Sequence, residues 1–581
     1  MKLLPVTGVW LFPARDSAAT HVVELGLVGL VAAAFVLLWF GLGAYSLLDN
    51  NEGVYASVAS DMLQRMDWVT PHLNGVPYQE KPPLYYYLLT ASFALFGANE
   101  WSARAVSALA ASCCLMSVYW AANALAGRGV ARLAALMLLS CIGFVMLART
   151  AMPDMLLIAC FSSALMLSFV AWRRQSSALL AASLVTLAAA TLAKGLLAPF
   201  LFMLIWLLHA GLSWRTDGRN IVRFLAQPLP WLAFLIVAAP WHIAAMLRDP
   251  DFAWFYFVNE HVMRFFGQRI PVDTYSGSAL YYLPRILLLF FPWVVLLPSA
   301  VKVKPAVENV DLDRFAWIAS AVIVGFFTLA SSKANYYVAL ALPTAALWLA
   351  LRIKAQLQRD DGLSRWETLS LAVLTALVLA AGVWAVSLEV RWEMVLKRWR
   401  WDALYLSIML VIGISATALC VRHARVSRWH WPVLATALVL ALAFAVVNLL
   451  EPKVSARRLV DLTTTKCRGC TLMLFRDYES ISAVGFSAGQ AVTPVIDSES
   501  NDLWWGQVKA PQASAFVTSA DVLQRAAAGE RIAVVVPRHE RKHFLDSALG
   551  KLSTPLYRRG GVSTFRIDAD DLDVDVEIPL P

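Results

Sequence analysis

The chain has 581 residues, of which 59% are hydrophobic and only 15% charged, with a formal net charge of +9. Soluble proteins usually carry about 25% charged residues, so this composition excludes an ordinary soluble domain. The basic residues lie in short loops between apolar runs, as membrane topology requires, and no DNA- or RNA-binding motif accompanies them, so nucleic acid is not expected as a partner.

The apolar residues come in repeated runs of about 18 to 25, long enough to cross a hydrocarbon core roughly 30 Å thick. Only helices cross lipid in such runs, because every backbone polar group must be satisfied within the segment. The first run, 23–48, reads as a retained anchor rather than a cleavable leader, since residues 1–21 contain Lys2, Arg15 and Asp16 and lack a small-residue cleavage site. Further runs follow at 100–125, 129–148, 151–171, 178–194, 196–212, 229–247, 279–300, 315–332, 336–352, 367–388, 403–421 and 430–450. The expected architecture is an all-α polytopic membrane protein of about 13 spans.

Placing the N-terminus inside puts Lys or Arg in every inner loop, from Gly127–Arg132 to Val421–Arg428. The outer side then holds 49–99, 248–278 and a tail from about 451. One outer loop, Glu389–Asp402, is basic against the rule, which suits contact with something anionic at the outer leaflet. The tail changes character, with short apolar runs at Thr471–Phe475, Ala515–Thr518 and Ile532–Val536, and reads as a small α/β unit over 451–581 outside the membrane. Cys467 and Cys470 lie in it without a second pair for zinc, so a local disulfide is expected.

Under this orientation the unusual ionisable residues gather on one face: Asp49, Glu52, Glu80, Lys81, Arg149, Asp154, Lys194, Glu260, His261, Arg264 and Lys333. Any one of them is readily an interfacial side chain, but the whole set on one side suggests a shared site. Lys and Arg hold phosphate, a carboxylate serves as general base, and a carboxylate with a histidine can hold a divalent ion. Such a set suits either sugar transfer from a lipid phosphate or transport of an anionic solute. A transporter should show charges near the bilayer midplane and repeated halves, which the sequence lacks. An envelope assembly protein would leave the charged face unexplained.

Within the first outer loop, residues 52–66 carry Val54, Tyr55, Val58, Met62 and Leu63 at helical spacing, which predicts an amphipathic helix lying on the membrane. Leu84–Phe96 is apolar but too short to span, and reads as interfacial or re-entrant.

Several segments in order carry a family resemblance. They are Asn51-Glu52-Gly53-Val54-Tyr55, Met66-Asp67-Trp68, Asn74-Gly75 and Tyr78-Gln79-Glu80-Lys81-Pro82-Pro83. Downstream come Ala148-Arg149 through Pro153-Asp154, Leu192-Ala193-Lys194-Gly195, Asn259-Glu260-His261 through Arg264, and Ser331-Ser332-Lys333 through Tyr336-Tyr337. Over roughly 23–350 the chain resembles the GT-C fold glycosyltransferases related to protein O-mannosyltransferases, within them the branch of undecaprenyl-phosphate aminoarabinose (lipid A) transferases. The resemblance implies a multi-pass inner-membrane glycosyltransferase, acting as a monomer at the periplasmic face with an outer C-terminal domain. It implies a polyprenyl-phosphate-linked sugar as donor and lipid A, another glycan or a protein hydroxyl as acceptor. It also implies that Asp154 and a first-loop carboxylate are catalytic, that Lys81 and neighbouring basic groups (Arg149, Lys194, Arg264, Lys333) bind the lipid phosphate, that Tyr78 and Tyr337 line the pocket, and that Glu80 and His261 are candidate residues for a divalent metal or for the phosphate site. Where the family usually has Asp-Glu, this chain has Asn51-Glu52; asparagine cannot act as a base, which leaves Asp49 or Glu52 to take over.

Overall fold

A computed structural model describes residues 27–49, 51–272, 277–357, 373, 455–490, 492–559 and 562–568. The expected spans at 367–388, 403–421 and 430–450 and the basic loop Glu389–Asp402 lie outside the described residues.

The described chain starts with α1 (Leu27–Trp39) and α2 (Glu52–Arg65). Strands β1 (His72–Leu73) and β2 (Val76–Pro77) follow, then α3 (Leu84–Phe96). Asn74 and Gly75 link the strands with φ of 53° and 83°, the double positive φ of a tight hairpin turn. Helix α4 (Glu100–Leu139) is broken at Gly127, whose φ of 83° is not helical, so two of the expected spans occupy one kinked element. Next come α5 (Ile142–Ala148), α6 (Pro153–Arg174), α7 (Ser177–Lys194), α8 (Leu197–Leu212), α9 (Arg219–Leu225) and α10 (Pro228–Arg248). A wide helix of π type, Trp254–Met263, comes next, followed by α11 (Tyr282–Leu289), α12 (Leu297–Ala300), α13 (Val310–Leu329) and α14 (Leu342–Leu357). Helix α6 is the centre of the bundle, packed between α4 and α7, while α14 closes on α4 and α13.

Among the described residues, six helices are long and apolar enough to cross a membrane, and two bent pairs would raise this to eight. Helix α8 fills the run expected at 196–212 and the chain then bends by 98° into Trp214–Leu225, whereas the run expected at 279–300 is itself broken by a bend of 106° between Ala279–Leu289 and Trp293–Ala300. The chain is an integral membrane protein, mostly helical.

The tail forms a six-stranded mixed sheet in the order β5-β4-β3-β6-β8-β7, from β3 (Thr471–Phe475), β4 (Val495–Ile496), β5 (Phe516–Val517), β6 (Ile532–Pro537), β7 (Thr554–Arg559) and β8 (Val562–Ile567). The first four positions pair parallel and the last two antiparallel. Alternation along β3 explains its double burial: Leu472 and Leu474 join the core that continues into the helices, while Met473 and Phe475 face a separate core with Val534 and Phe565. Cys467 and Cys470 form the expected disulfide just before β3.

The sheet unit is joined to the loops around α2 and the hairpin by directed bonds. Ala483 N–H donates to Asp49 Oδ1 at 2.8 Å, and Asn74 exchanges two bonds with the Thr493 backbone at 2.9 and 2.7 Å. Trp505 Nε1 donates to Gln79 Oε1 at 2.9 Å, and its ring stacks on Phe255 at 4.2 Å. Lys509 reaches Asp249 and Asp251 at 2.6 and 2.7 Å. This seam corrects the reading of α2 as a helix on the lipid surface. Val54, Tyr55, Val58 and Met62 are buried, and a Cβ at Gly53 would stand 2.4 Å from the Ala483 nitrogen, so α2 is sandwiched between α3 and the tail.

Candidate active site

Three segments converge where two helix ends meet. Pro153 starts α6, a position where its missing N–H costs nothing, and Asp154 follows in the first turn, where the helix dipole favours a negative charge. Lys194 occupies the last turn of α7, where a positive charge is favoured. Lys194 Nζ is bonded to Asp154 Oδ1. The other carboxylate oxygen, Asp154 Oδ2, is buried and has no protein partner. The lysine also lies 4.8 and 5.6 Å from the ring centres of Tyr337 and Tyr336, two cation–π contacts that fix its position.

The segment from Trp254 to Arg269 supplies the second part. Asn259 is fully buried and braces Ile270 with two bonds of 2.8 Å, one to each backbone polar group. That brace folds the chain back, so Glu260, Arg264 and Arg269 point together. Arg269 bonds Glu260 Oε1 at 2.5 Å and Glu80 Oε1 at 2.7 Å, and Arg264 bonds Glu260 Oε2 at 2.9 Å. Lys81 lies farther off, 3.5 Å from Glu80 Oε2 and 3.9 Å from Glu260 Oε2. Despite its burial, Glu260 is pulled down to about 2 by Arg264, Arg269 and Lys81, so it is ionised. Three cations against two carboxylates leave one positive charge, and Lys81 is the member held least tightly.

These groups border a cavity of about 510 Å³. Glu80, Lys81, Glu260 and Arg264 line one side, Asp154, Lys194 and Tyr337 another, and Leu157, Phe200, Phe265 and Phe326 make an apolar wall. A charged end and an apolar body in one cavity match the two halves of a lipid phosphate.

His261 also borders the cavity, but both ring nitrogens are engaged. Nδ1–H donates to Tyr256 O at 2.6 Å, and Nε2 accepts from Leu196 N–H at 3.0 Å. Burial holds the imidazole below its ordinary range, so it is neutral. Its partnership explains Gly195: a Cβ there would lie 2.3 Å from His261 Nε2, and φ is +95°. Glu80 is committed to Arg269 and Lys81, and among the described residues no group of three or more His, Cys, Asp or Glu is placed to hold a metal. Glu80 and His261, expected as candidate metal ligands, here serve an ion pair and a backbone brace.

Of the other expected residues, several stand elsewhere. Glu52 is fully buried in a bidentate pair with Arg104, at 2.8 and 2.7 Å, and also accepts from Ala151 N–H at 2.8 Å and Leu48 N–H at 2.9 Å. With its lone pairs taken up in this way, it ties the first loop to α4 and α6 and is not a base. Asp49 is at the tail seam, bonded to Ala483. Burial pushes its carboxyl up to about 7. Arg149 donates to Leu37 O at 3.1 Å, outside the cavity lining. Lys333 donates to the carbonyls of Phe327, Thr328 and Ala330 at 3.2, 2.8 and 2.8 Å. It satisfies the orphan carbonyls that end α13 instead of a phosphate. Tyr78 is buried behind the ion pairs against Tyr86 and does not line the cavity.

The sequence reading missed Arg104, Arg269, Tyr336 and Asp502. An arginine near the start of an apolar run and one more in a charged outer loop were visible signals for the first two. Asp502 had none, because only the folded tail brings it near Glu80. Burial and the Glu80 charge push its carboxyl up to about 7 against the pull of Arg269 and Lys81.

A family model described as dolichyl-phosphate-mannose-protein mannosyltransferase matches residues 80–244, the stretch that carries Lys81, Asp154 and Lys194. The crystal structure of ArnT from Cupriavidus metallidurans bound to undecaprenyl phosphate covers 94% of this chain and 98% of its own, with a TM-score of 0.76 at 21% identity. The chain shares the fold of that structure. Two curated relatives carry the name undecaprenyl phosphate-alpha-4-amino-4-deoxy-L-arabinose arabinosyl transferase. The one from Pectobacterium carotovorum subsp. carotovorum (strain PC1) is 29% identical over 377 residues, 62% of this chain and 66% of that protein. The one from Pseudomonas paraeruginosa (strain DSM 24068 / PA7) is 28% identical over 432 residues, 72% of this chain and 75% of that protein. The chain thus spans about two thirds of the first of these relatives.

Proposed function

We propose that the chain transfers a sugar from a polyprenyl phosphate, undecaprenyl phosphate in the specific reading, to an acceptor at the outer face of the bacterial inner membrane. Aminoarabinose passing to lipid A is the specific reaction favoured, because the curated relatives carry that name. In this reading residues 1–450 form the membrane unit with about 13 spans, and 451–581 fold outside it in the periplasm. A protein or other glycan acceptor is the second reading, favoured by the mannosyltransferase family match.

One observation carries the proposal: the ion-pair cluster with one surplus positive charge stands beside an apolar wall and a free carboxylate oxygen. The lipid tail lies along the apolar wall, and Lys81 turns to the phosphate, which competes well with two carboxylates 3.5 and 3.9 Å away. An acceptor oxygen attacks the anomeric carbon, and the carbon–oxygen bond to the lipid phosphate breaks with its electrons going to the phosphate. Lys81 and Arg264 stabilise that charge. Asp154 takes the proton if the acceptor is a hydroxyl, and Lys194 holds its carboxylate in place. An acceptor phosphate brings no proton, and Asp154 then positions it through its bound Lys194. Direct displacement inverts the sugar.

Mass spectrometry of lipid A and envelope glycans, with and without the gene, tests the reaction. Loss of the aminoarabinose mass is the expected result. Unchanged lipid A with a changed glycan or glycoprotein would move the proposal to the second reading.

A further inference from the structure

Arg285 lies in α11, and neutral groups alone hold its side chain. Its Nε–H donates to Asn335 Oδ1 at 2.8 Å, and Nη1 donates to the Tyr281 carbonyl at 2.6 Å. The guanidinium carbon stands 3.3 Å from the centre of the Tyr281 ring. The Tyr281 hydroxyl donates to the same Asn335 Oδ1 at 2.8 Å, which closes the set. A guanidinium has five N–H donors, and these contacts take two, so three are left over. Among the described residues, no carboxylate pairs with Arg285. Asn335 adds to the surplus: its oxygen serves two donors, and its amide nitrogen has no protein acceptor among the described residues. The cluster therefore offers a rigid cation and spare N–H donors, the groups that a phosphate accepts from.

The surroundings say what carries that phosphate. Leu280, Leu283 and Leu287 on the same stretch are exposed. Ala279–Leu289, taken together with Trp293–Ala300, is apolar enough to cross a membrane, so these leucines meet lipid. A charge at such a place is costly unless it is paired. Neutral bracing fixes the guanidinium without supplying a countercharge, and a lipid headgroup brings one to this surface.

The cluster is built onto the rim of the cavity. Asn335 directly precedes Tyr336 and Tyr337, which both line it, and the Tyr336 ring centre is 5.6 Å from Lys194 Nζ. The bonds from Tyr281 and Arg285 thus hold the segment that carries these two rings. No residue of α11 lines the cavity, whose apolar wall comes from Leu157, Phe200, Phe265 and Phe326. A lipid held at Arg285 leaves that wall free for a second one. We infer that Arg285, braced by Tyr281 and Asn335, docks a phosphate of the lipid acceptor, apart from the pocket that takes the donor. This rests on the reading of the acceptor as a phosphate-bearing lipid such as lipid A.

The test measures binding of lipid A to the full-length protein in phosphatidylcholine nanodiscs, alongside transfer from undecaprenyl phosphate-aminoarabinose. Arg285→Gln should weaken lipid A binding at least about tenfold and raise its KM in step, because charge-assisted bonds to a phosphate are lost, while the KM for the donor stays unchanged. Arg285→Lys keeps the charge without the planar fork and should recover part of the loss. Lipid A stripped of its phosphates should bind the unaltered protein and the Arg285→Gln variant equally weakly. Equal lipid A binding by these two proteins, no binding by either, or a matching rise in the donor KM overturns the assignment. So does phosphatidylglycerol that displaces lipid A mole for mole, since the site then serves bulk anionic lipid. If lipid A binds through Arg285 but receives no sugar, the docking site stands and only the transfer reading falls.

Discussion

Lys194 and Asp154 form an ion pair across the ends of α7 and α6, and it leaves one oxygen of Asp154 buried without a partner. Neighbouring helix dipoles favour both charges in place, so the pair is preorganised. In the proposed reaction, the oxygen that Lys194 does not hold is the one offered to an acceptor. Asp154→Asn should lower transfer by about 10²-fold or more while the protein still inserts and folds, because a positioned base typically contributes 10²- to 10⁴-fold. Steady-state transfer from a polyprenyl-phosphate donor checks this, and full activity would remove Asp154 from the site.

Glu52 behaves differently. Its partner Arg104 is fully buried and also donates to the carbonyls of Leu42, Tyr45 and Ser46 at 2.7, 2.8 and 3.0 Å. Removing one member of a buried pair leaves the other charge uncompensated and costs roughly 3–5 kcal/mol. Glu52→Gln should therefore lower the temperature of half-inactivation in detergent, and the residual folded fraction should keep its turnover per molecule. A stable but inactive variant would return Glu52 to the chemistry.

The contrast between these two acids marks how far the sequence could be read. Their place at span ends on one face was legible from the basic loops and the apolar runs, because topology is a one-dimensional signal. Which acid meets Lys194 and which meets Arg104 depends on how α4, α6 and α7 pack, and no residue pattern encodes that. Lys333 carries the same lesson: its charge was visible, but its use as a helix cap depends on where α13 ends. The tail strands at Thr471–Phe475 and Ile532–Val536 could be read from their apolar runs. That the tail clamps α2 and brings Asp502 to Glu80 could not, since it follows from contacts more than 400 residues apart such as Asn74 with Thr493.

Gly195 should not tolerate alanine. The added Cβ meets His261 Nε2 at 2.3 Å in a backbone conformation with positive φ. Strain of this kind costs on the order of 1–3 kcal/mol, before the displacement of His261 is counted. Gly195→Ala should lose both thermal stability and transfer, as α8 and the His261 segment separate. A fully active and stable variant would show that the His261–Leu196 bond does not hold the cavity together.

The seam between α2 and the tail should loosen as pH rises. Asp49 stands at about 7 in the folded chain against an ordinary 3.8, because burial disfavours its charge. A raised carboxyl contributes stability that is complete below the ordinary value and is lost as pH climbs through the folded one. Glu479, raised to about 9 by burial and by Asp502, acts in the same direction. Glu260, lowered to about 2, has the opposite sign and loses its contribution only as pH falls below about 4.5. Limited proteolysis of the tail should thus be slower at about pH 5.5 than at about pH 8, and Asp49→Asn should flatten the difference. Equal rates in the unaltered protein would contradict this account of the seam.

The most direct test is a cryo-electron microscopy structure of the full-length protein in nanodiscs with undecaprenyl phosphate. Phosphate density within about 3 Å of Lys81 Nζ, with the lipid tail passing Phe200 and Phe326, is the predicted result. A phosphate bound away from the Glu80–Lys81–Arg264 cluster, with that cavity empty, would contradict it.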